Sequence, residues 1–418
     1  MSKKQAHPTS DWLTVKYVEQ KLQIYFKEKN LKVQKLDIKP ATSNGENFAS
    51  VLTRINVDYF TDILKNEPQH ATFLVKTTLA ENDPASHLLK DYGIYVREMI
   101  MYEEVLPQLA ELLRRELHDE RKLFAATVCV DRPKNSITFE DLGLEQYKLV
   151  NRLDKLDLPH THLVLEKLAQ FHALSAALNE RKPGIFSKNY DRNFFNRHTR
   201  GYQSVYENLL RGLSRSLELD NDLKKRYQLK INKLIDRIMD YGEKSTDIRK
   251  SDFVTLLHGD VWSTNLMFNY NAQDEPSNCI LIDFQFCVWN SPALDLHYFF
   301  NSSIHEDLRL NHQTELVQFY YNHLVRALAK LKYNGLIPSL FDFQLQFRAH
   351  SFNALYTTLI FEPVMLYNGP ELATIEKLMT NTESAIKLHD SLYQNETLRK
   401  KLHIWLPIFD QIGLLDDM

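Results

Sequence analysis

Glycine is the scarce residue of this chain: 11 of 418 positions carry it, where about 7% is usual. The places of those few close off whole enzyme classes. No two stand two residues apart, so a G-x-G-x-x-G dinucleotide fingerprint cannot form, and none precedes a lysine, which removes the G-x-x-x-x-G-K phosphate loop. No pair four apart permits a G-x-S-x-G nucleophile elbow. Cysteine is rarer still. Cys129, Cys279 and Cys287 are odd in number and form no C-x-x-C pair, in a chain long enough to bury its cores without staples; reduced core thiols are expected. Long apolar runs are missing too. None approaches the roughly 18 residues of a membrane span, and MSKKQAHPTSDWL at the start holds no apolar leader, so a cytoplasmic protein is expected. Neither charge dominates. Lysine plus arginine is 51 against 54 acidic residues, a balance of −3, without the field of a protein that coats nucleic acid.

Rings and length are plentiful: 23 Phe, 20 Tyr and 4 Trp in a chain long enough for two or three lobes. Hydrophobic period divides it. Val15, Val18, Leu22 and Phe26 recur at helical spacing behind the cap candidates Thr9 to Asp11. Strand patterns follow at Leu31–Ile38, Val51–Tyr59 and Phe73–Val75, predicting a small antiparallel sheet, with the turn formers Ala41 to Asn47 between the first two. A helix is expected from about Leu88 to Leu106, and its periodicity puts Glu98 on the apolar stripe between Tyr95 and Tyr102. A carboxylate there either rims the core or needs a buried cation. Thr127–Val130 and Ile137–Phe139 read as a last hairpin, and helical period dominates beyond it: Leu163–Leu178, about Leu223–Tyr241, Leu316–Leu331 and Phe341–Tyr367. The expected class is α+β, with a first lobe over 1–143 and a helical second lobe over 144–418.

One region breaks the helical lobe. Phe253–Leu257 leads into His258-Gly259-Asp260-Val261-Trp262-Ser263-Thr264-Asn265, then Leu266–Phe268, a polar turn, and Cys279–Ile282 ahead of Asp283. Short apolar runs around polar turns predict a small hairpin that gathers Asp260, Asn265 and Asp283. Two carboxylates and an amide oxygen are hard donors suited to Mg²⁺, which keeps waters and bridges phosphates through one or two carboxylates. Zinc is unsupported, because His160-x-His162 is only an i, i+2 pair and His305-Glu306 lacks the second histidine of H-E-x-x-H. Phosphoryl transfer needs a metal clamp and a carboxylate to take the proton of the attacking hydroxyl. Each residue taken alone is an ordinary cap or turn former, yet H-G-D-x-x-x-x-N arises by chance in such a chain on the order of 10⁻³.

HGDVWSTNLMF followed by LIDFQ resembles the catalytic loop and metal-binding strand of the kinase-like phosphotransferases, the branch that holds choline kinases and aminoglycoside phosphotransferases. ATSNGENFASVLTRI, FLVKTT, YVREMIMYEEVLP, ITFEDLG, HLVLEKLAQFHALSA and WNSPALDLHYFF are similar to the insect ecdysteroid kinase-like family, over about residues 30 to 305. The resemblance implies a bilobal protein-kinase-like fold, ATP and Mg²⁺ as cofactors, and a small-molecule alcohol as acceptor, an ecdysteroid or another lipophilic alcohol. Carried residue by residue, it makes Asp260 the catalytic base and Asn265 and Asp283 the Mg²⁺ ligands. Lys76 contacts the phosphates and pairs with Glu98, Gly45 and Asn47 lie over the phosphates, and Glu140, Asp141 and Leu142 form the hinge against adenine through backbone groups. His258 and His172 are expected to be structural, buried and bonded to backbone, and Asp295 to cap a helix and brace the catalytic loop.

The chain has H-G-D and D-F-Q where protein kinases have H-R-D and D-F-G, and no activation-loop phosphosite or A-P-E can be placed, which favours a small acceptor over a protein one. Two other readings remain: a choline- or aminoglycoside-type kinase with a cationic acceptor, for which acid-rich stretches such as Leu217 to Asp222 speak, and a nucleotide-binding pseudokinase acting as an interaction module.

Overall fold

In a computed structural model, which describes residues 10–41, 49–62 and 67–416, the first third forms one antiparallel sheet. Its strands are β1 (Lys32–Pro40), β2 (Ser50–Phe60), β3 (Gln69–Thr78), β4 (Thr127–Asp131) and β5 (Ser136–Glu140), in the order β1-β2-β3-β5-β4. Val33, Ile55, Val57, Phe73 and Val75 turn to one face and bury there. The opening helix Val15–Phe26 covers that face with Val18 and Leu22, and its cap is Thr14, whose side chain accepts from Tyr17 N, rather than a residue of 9–11. Each such aliphatic or aromatic side chain contributes roughly 1.5–3 kcal/mol by leaving water.

The expected helix from Leu88 to Leu106 is two helices. Asp83 caps Pro84–Asp91, and the chain then turns at Gly93, whose φ of +66° breaks the ladder, before a second helix runs over 94–117 with two π-helical turns. The periodic reading still holds for Glu98, which is buried.

The remainder is helical around two cores. Leu158–Arg181 is the central helix, buried along most of its length, with Gln313–Lys330 packed on it. The hairpin of Gln203–Leu217 and Asn221–Ser245 builds the other core with helices of residues 352–411. The expected single run Phe341–Tyr367 is interrupted at His350 and Ser351 and again by the π-helical turn Thr357–Phe361. Tertiary hydrogen bonds take over there: Gln346 clamps the backbone of Phe253 and His350 bonds Ser245 O. The two cores meet along the segment that follows Asp283, with Phe284 in one and Phe286 in the other. Sheet lobe and helical lobe give the α+β, bilobal arrangement expected from the sequence. Cys279 and Cys287 are buried free thiols and Cys129 is half-buried. Among the described residues no helix is long and apolar enough to cross a membrane.

Candidate active site

Lys76 lies on β3 between Leu52 of β2 and Ile137 of β5, and its side chain leaves the sheet toward the second lobe. Its Nζ donates to Glu98 Oε1 at 2.7 Å and to Asp283 Oδ1 at 2.5 Å. Glu98 therefore has the buried cation that its place on the apolar stripe called for. Burial opposes the charge on Lys76, but the two carboxylates outweigh it and raise the ammonium above its usual range. Burial, with Asp283 adding to it, raises Glu98 to about 7 against the pull of Lys76. Beside Glu98, the buried Arg97 donates to the carbonyls of Tyr92 and Gln285, both at 2.8 Å, and of Asn189 at 2.5 Å. Arg97 thereby ties the glutamate's helix to the segment that follows Asp283.

The segment that carries Asp260, Asn265 and Asp283 is not a single hairpin. A short strand β6 (Lys148–Leu149) joins β8 (Leu266–Tyr270) and β9 (Pro276–Leu281) in one sheet, whereas β7 (Thr255–Leu257) pairs with β10 (Val288–Asn290) in another. The loop from His258 to Asn265 runs between the two sheets. Asn265 Nδ2 donates to Asp260 O at 2.8 Å and to Asp260 Oδ2 at 3.1 Å, and Asn265 O accepts from Ile282 N at 3.1 Å, one residue before Asp283. The three polar residues gather as the spacing suggests, by loop closure between sheets. Asp283 has a φ of +70°, a left-handed conformation that a non-glycine residue holds only where its surroundings impose it.

Asp295 fixes the loop backbone from the helix Ala293–Ser303. Its two oxygens accept from His258 N at 2.8 Å and Gly259 N at 2.9 Å. The brace is as expected, but Asp295 stands inside the helix and its N-cap is Pro292. His172 bonds the same carboxylate through Nε2 and the Tyr320 hydroxyl through Nδ1, so its ring partners are side chains rather than backbone. His258 receives Asp260 N on Nδ1 and donates from Nε2 to Ile282 O, the pattern of a neutral imidazole, and burial lowers its pKa accordingly. Gly259 has a φ of +80°, and a Cβ there would stand 2.1 Å from Phe286 O. Gly259→Ala is expected to displace the loop and lower the melting temperature; an unchanged melting curve would mean the backbone relaxes freely.

Asp260 is buried, and burial is the main cause that raises its carboxyl to about 8; the hydroxyl of Tyr298, donating to Oδ1 at 2.7 Å, opposes it, and Asp283 adds to the rise. The donor set fits Mg²⁺. Asn265 uses its amide nitrogen on Asp260, which leaves its oxygen for a cation, and Asp283 keeps Oδ2 outside its pair with Lys76. Among the described residues no group of three or more His, Cys, Asp and Glu is placed to hold a metal, so an ion here draws the rest of its shell from water and phosphate.

Glu140 ends β5 and Leu142 opens a 3-10 turn, at the junction of sheet and helical lobe. Both acidic side chains are engaged: Glu140 accepts from Ala126 N and pairs with Lys122, while Asp141 pairs with Arg54 and caps Gly143 N. Gly45 and Asn47 lie outside the described residues. The sequence reading missed Tyr298 and Arg97. Tyr298 is three residues after Asp295, on the same helix face, and that spacing is the signal that points to it.

A lysine on the sheet paired with a helix glutamate, facing an Asp-x-x-x-x-Asn loop and a strand-end aspartate, is the arrangement of the protein-kinase-like fold. The model of the ecdysteroid kinase-like family matches residues 44–333, and the chain belongs to that family. Three solved structures align over most of their length. The Plasmodium vivax ethanolamine kinase does so at 11% identity and a TM-score of 0.40, over 95% of this chain and 93% of that one. The choline kinase of Streptococcus pneumoniae aligns at 13% and 0.34, over 93% and 99%. An aminoglycoside 2'-phosphotransferase in its GDP complex aligns at 13% and 0.41, over 92% and 99%. No curated protein matches the sequence.

Proposed function

We propose that the protein transfers the γ-phosphoryl group of ATP to a hydroxyl of a small lipophilic alcohol, of which an ecdysteroid is the example its family suggests. The observation that carries this reading is the bridge of Lys76 between Glu98 and Asp283, beside an Asp260 held by Asn265. Lys76 orients the α- and β-phosphates, and Glu98 keeps it pointed at them. Asn265 and Asp283 would hold Mg²⁺, which supplies charge neutralisation at the phosphates. Asp260 takes the proton of the acceptor hydroxyl as its oxygen bonds to phosphorus. Residues 1–143 take the nucleotide, with Gly45 and Asn47 over the phosphates and the backbone of Glu140 to Leu142 against adenine; 144–418 take the acceptor. The protein acts in the cytoplasm on this reading.

We place the acceptor in a cavity of about 280 Å³ beside the catalytic loop, with Gly259, Tyr298, Phe194 and Tyr356 in its wall. Its three acids are engaged: Asp191 with His198 at 2.9 Å, Asp247 with Arg197 at 2.5 Å, and Asp295 with the backbone N–H groups of His258 and Gly259. That pairing favours an uncharged acceptor over a quaternary ammonium. In the acid-rich stretch Leu217 to Asp222, Asp220 is occupied in capping the helix Asn221–Ser245 and pairing with His403, so it lends a cationic acceptor no support. A pseudokinase reading draws no support from the five residues either, since all are present.

The test is thermal melting with ATP, with Mg²⁺ and with both. A ligand at 100 times its dissociation constant adds about 2.7 kcal/mol to the folded state. A rise that needs both is expected; no shift at millimolar ATP would sink the nucleotide site.

A further inference from the structure

The helix Ala293–Ser303 grips the catalytic loop at successive points along one side. Asp295 holds the backbone of His258 and Gly259, Tyr298 holds the side chain of Asp260, and Ser303 Oγ accepts from Ser263 N at 3.0 Å. We propose that Tyr298 is the residue that positions the Asp260 carboxylate for phosphoryl transfer, an assignment that rests on the kinase reading above.

A carboxylate on a Cα–Cβ stem turns about two torsions, and one hydrogen bond leaves one of them loose. Asp260 has a donor on each oxygen: Tyr298 Oη on Oδ1 at 2.7 Å and Asn265 Nδ2 on Oδ2 at 3.1 Å. Together they fix the plane of the group and leave each oxygen one more lone pair to accept a proton. Asn265 lies five residues away in the same loop and moves with it. Tyr298 belongs to a different element, so its hydroxyl references the carboxylate to the body of the lobe. Its ring is buried and packs against the neighbouring pair Phe194 and Phe361, with centroids 6.0 and 5.9 Å away, which restricts its position. The same ring forms part of the wall of the acceptor cavity. One side chain thus sets both the base and the surface against which an acceptor rests, which is the kind of positioning on which near-attack geometry depends.

The test is Tyr298→Phe, which keeps the ring and its packing and removes only the hydroxyl. Turnover is read as ADP release from Mg²⁺-ATP, with water and with a panel of ecdysteroids, sterols and choline. The expected result is a kcat lowered about 10- to 100-fold with the KM for ATP unchanged. Combining Tyr298→Phe with Asp260→Asn is expected to slow the reaction no further than Asp260→Asn alone, because the tyrosine acts through that carboxylate. Equal losses in both backgrounds would overturn the assignment, as would a wild-type kcat in Tyr298→Phe. A wild-type protein with no turnover overturns the kinase reading and this assignment with it.

Discussion

Asp260→Asn is expected to slow turnover by about 10²- to 10⁴-fold while leaving Mg²⁺-ATP affinity nearly intact. The variant is almost isosteric, so the loop keeps its shape, but an amide cannot take the proton of the attacking hydroxyl. Its oxygen would stay on the Tyr298 hydroxyl, which is buried and donates there. Its nitrogen would then face Asn265 Nδ2, donor against donor, at the modest cost of one lost hydrogen bond, about 1 kcal/mol. Against that cost stands a gain: a buried carboxylate without a full ion pair is expensive, and the amide removes its charge. The melting temperature is therefore expected to stay level or rise as activity collapses, a stability that the active site forgoes for function. Calorimetric ATP titration beside a turnover assay checks both halves. Turnover within a few-fold of wild type would remove Asp260 from the role of base.

The largest stability effect is expected outside that loop, at Glu362. Its side chain is buried beneath the C-terminal helix, where Lys401 Nζ reaches Oε1 at 2.5 Å, Lys155 Nζ reaches Oε1 at 3.0 Å, and Arg309 Nη1 reaches Oε2 at 3.4 Å. Arg309 also lies over Trp405, its Cζ 3.6 Å from the ring centroid. Glu306, paired with Lys401, is the second acid of the group. Burial raises the Glu362 carboxyl, but the three cations override it and hold it at about 2. Burial pushes the other way on the cations, lowering Lys155 and Arg309 below their usual values. Glu362→Gln would leave three buried cations facing one acid, a loss of about 3–5 kcal/mol.

The pH dependence has a definite sign. Glu362 has a folded pKa below its unfolded one, so its contribution is present in full above pH ~5 and fades as the pH falls through 4 toward 2. A shift from 4.5 to about 2 amounts to about 3 kcal/mol, in line with the cost of breaking the cluster. Urea unfolding of wild type and Glu362→Gln should therefore differ most at neutral pH and converge near pH 2. A gap that stays constant across that range would show that the variant acts through packing and not through charge.

Much of the first lobe was legible in the sequence because strand and helix periods are local. Ile55, Val57 and Tyr59 bury where alternation put them, while Val51, at the strand's start, stays half-buried. Phe73 and Val75 bury in the run read as apolar throughout, with Leu74 between them half-buried, and Glu98 buries where the 3.6-residue period put it. Boundaries set by single residues were less legible. Gly93 splits a pattern that reads as one helix, because the period on either side continues almost in phase while the backbone does not. The run Phe341–Tyr367 failed for another reason: its interruptions are imposed by partners such as Phe253 and Ser245, which no local pattern encodes. The loop from His258 to Asn265 was readable as a motif, yet its strand pairing was not, since β7 finds β10 across the whole loop and hairpin rather than its neighbour β8.

By itself the sequence determined the class of chemistry and the family, because H-G-D-x-x-x-x-N and the strand-end aspartate are residue types at short spacing, and residue type is what a metal or a proton requires. Only the tertiary structure decided which atoms face each other. Lys76 and Asp283 meet across 207 positions and Asp260 and Tyr298 across 38, and the cluster at Glu362 draws its cations from three distant segments. Burial, hydrogen-bond geometry and charge coupling depend on distance in space, and distance in space is the one quantity that local periodicity does not carry.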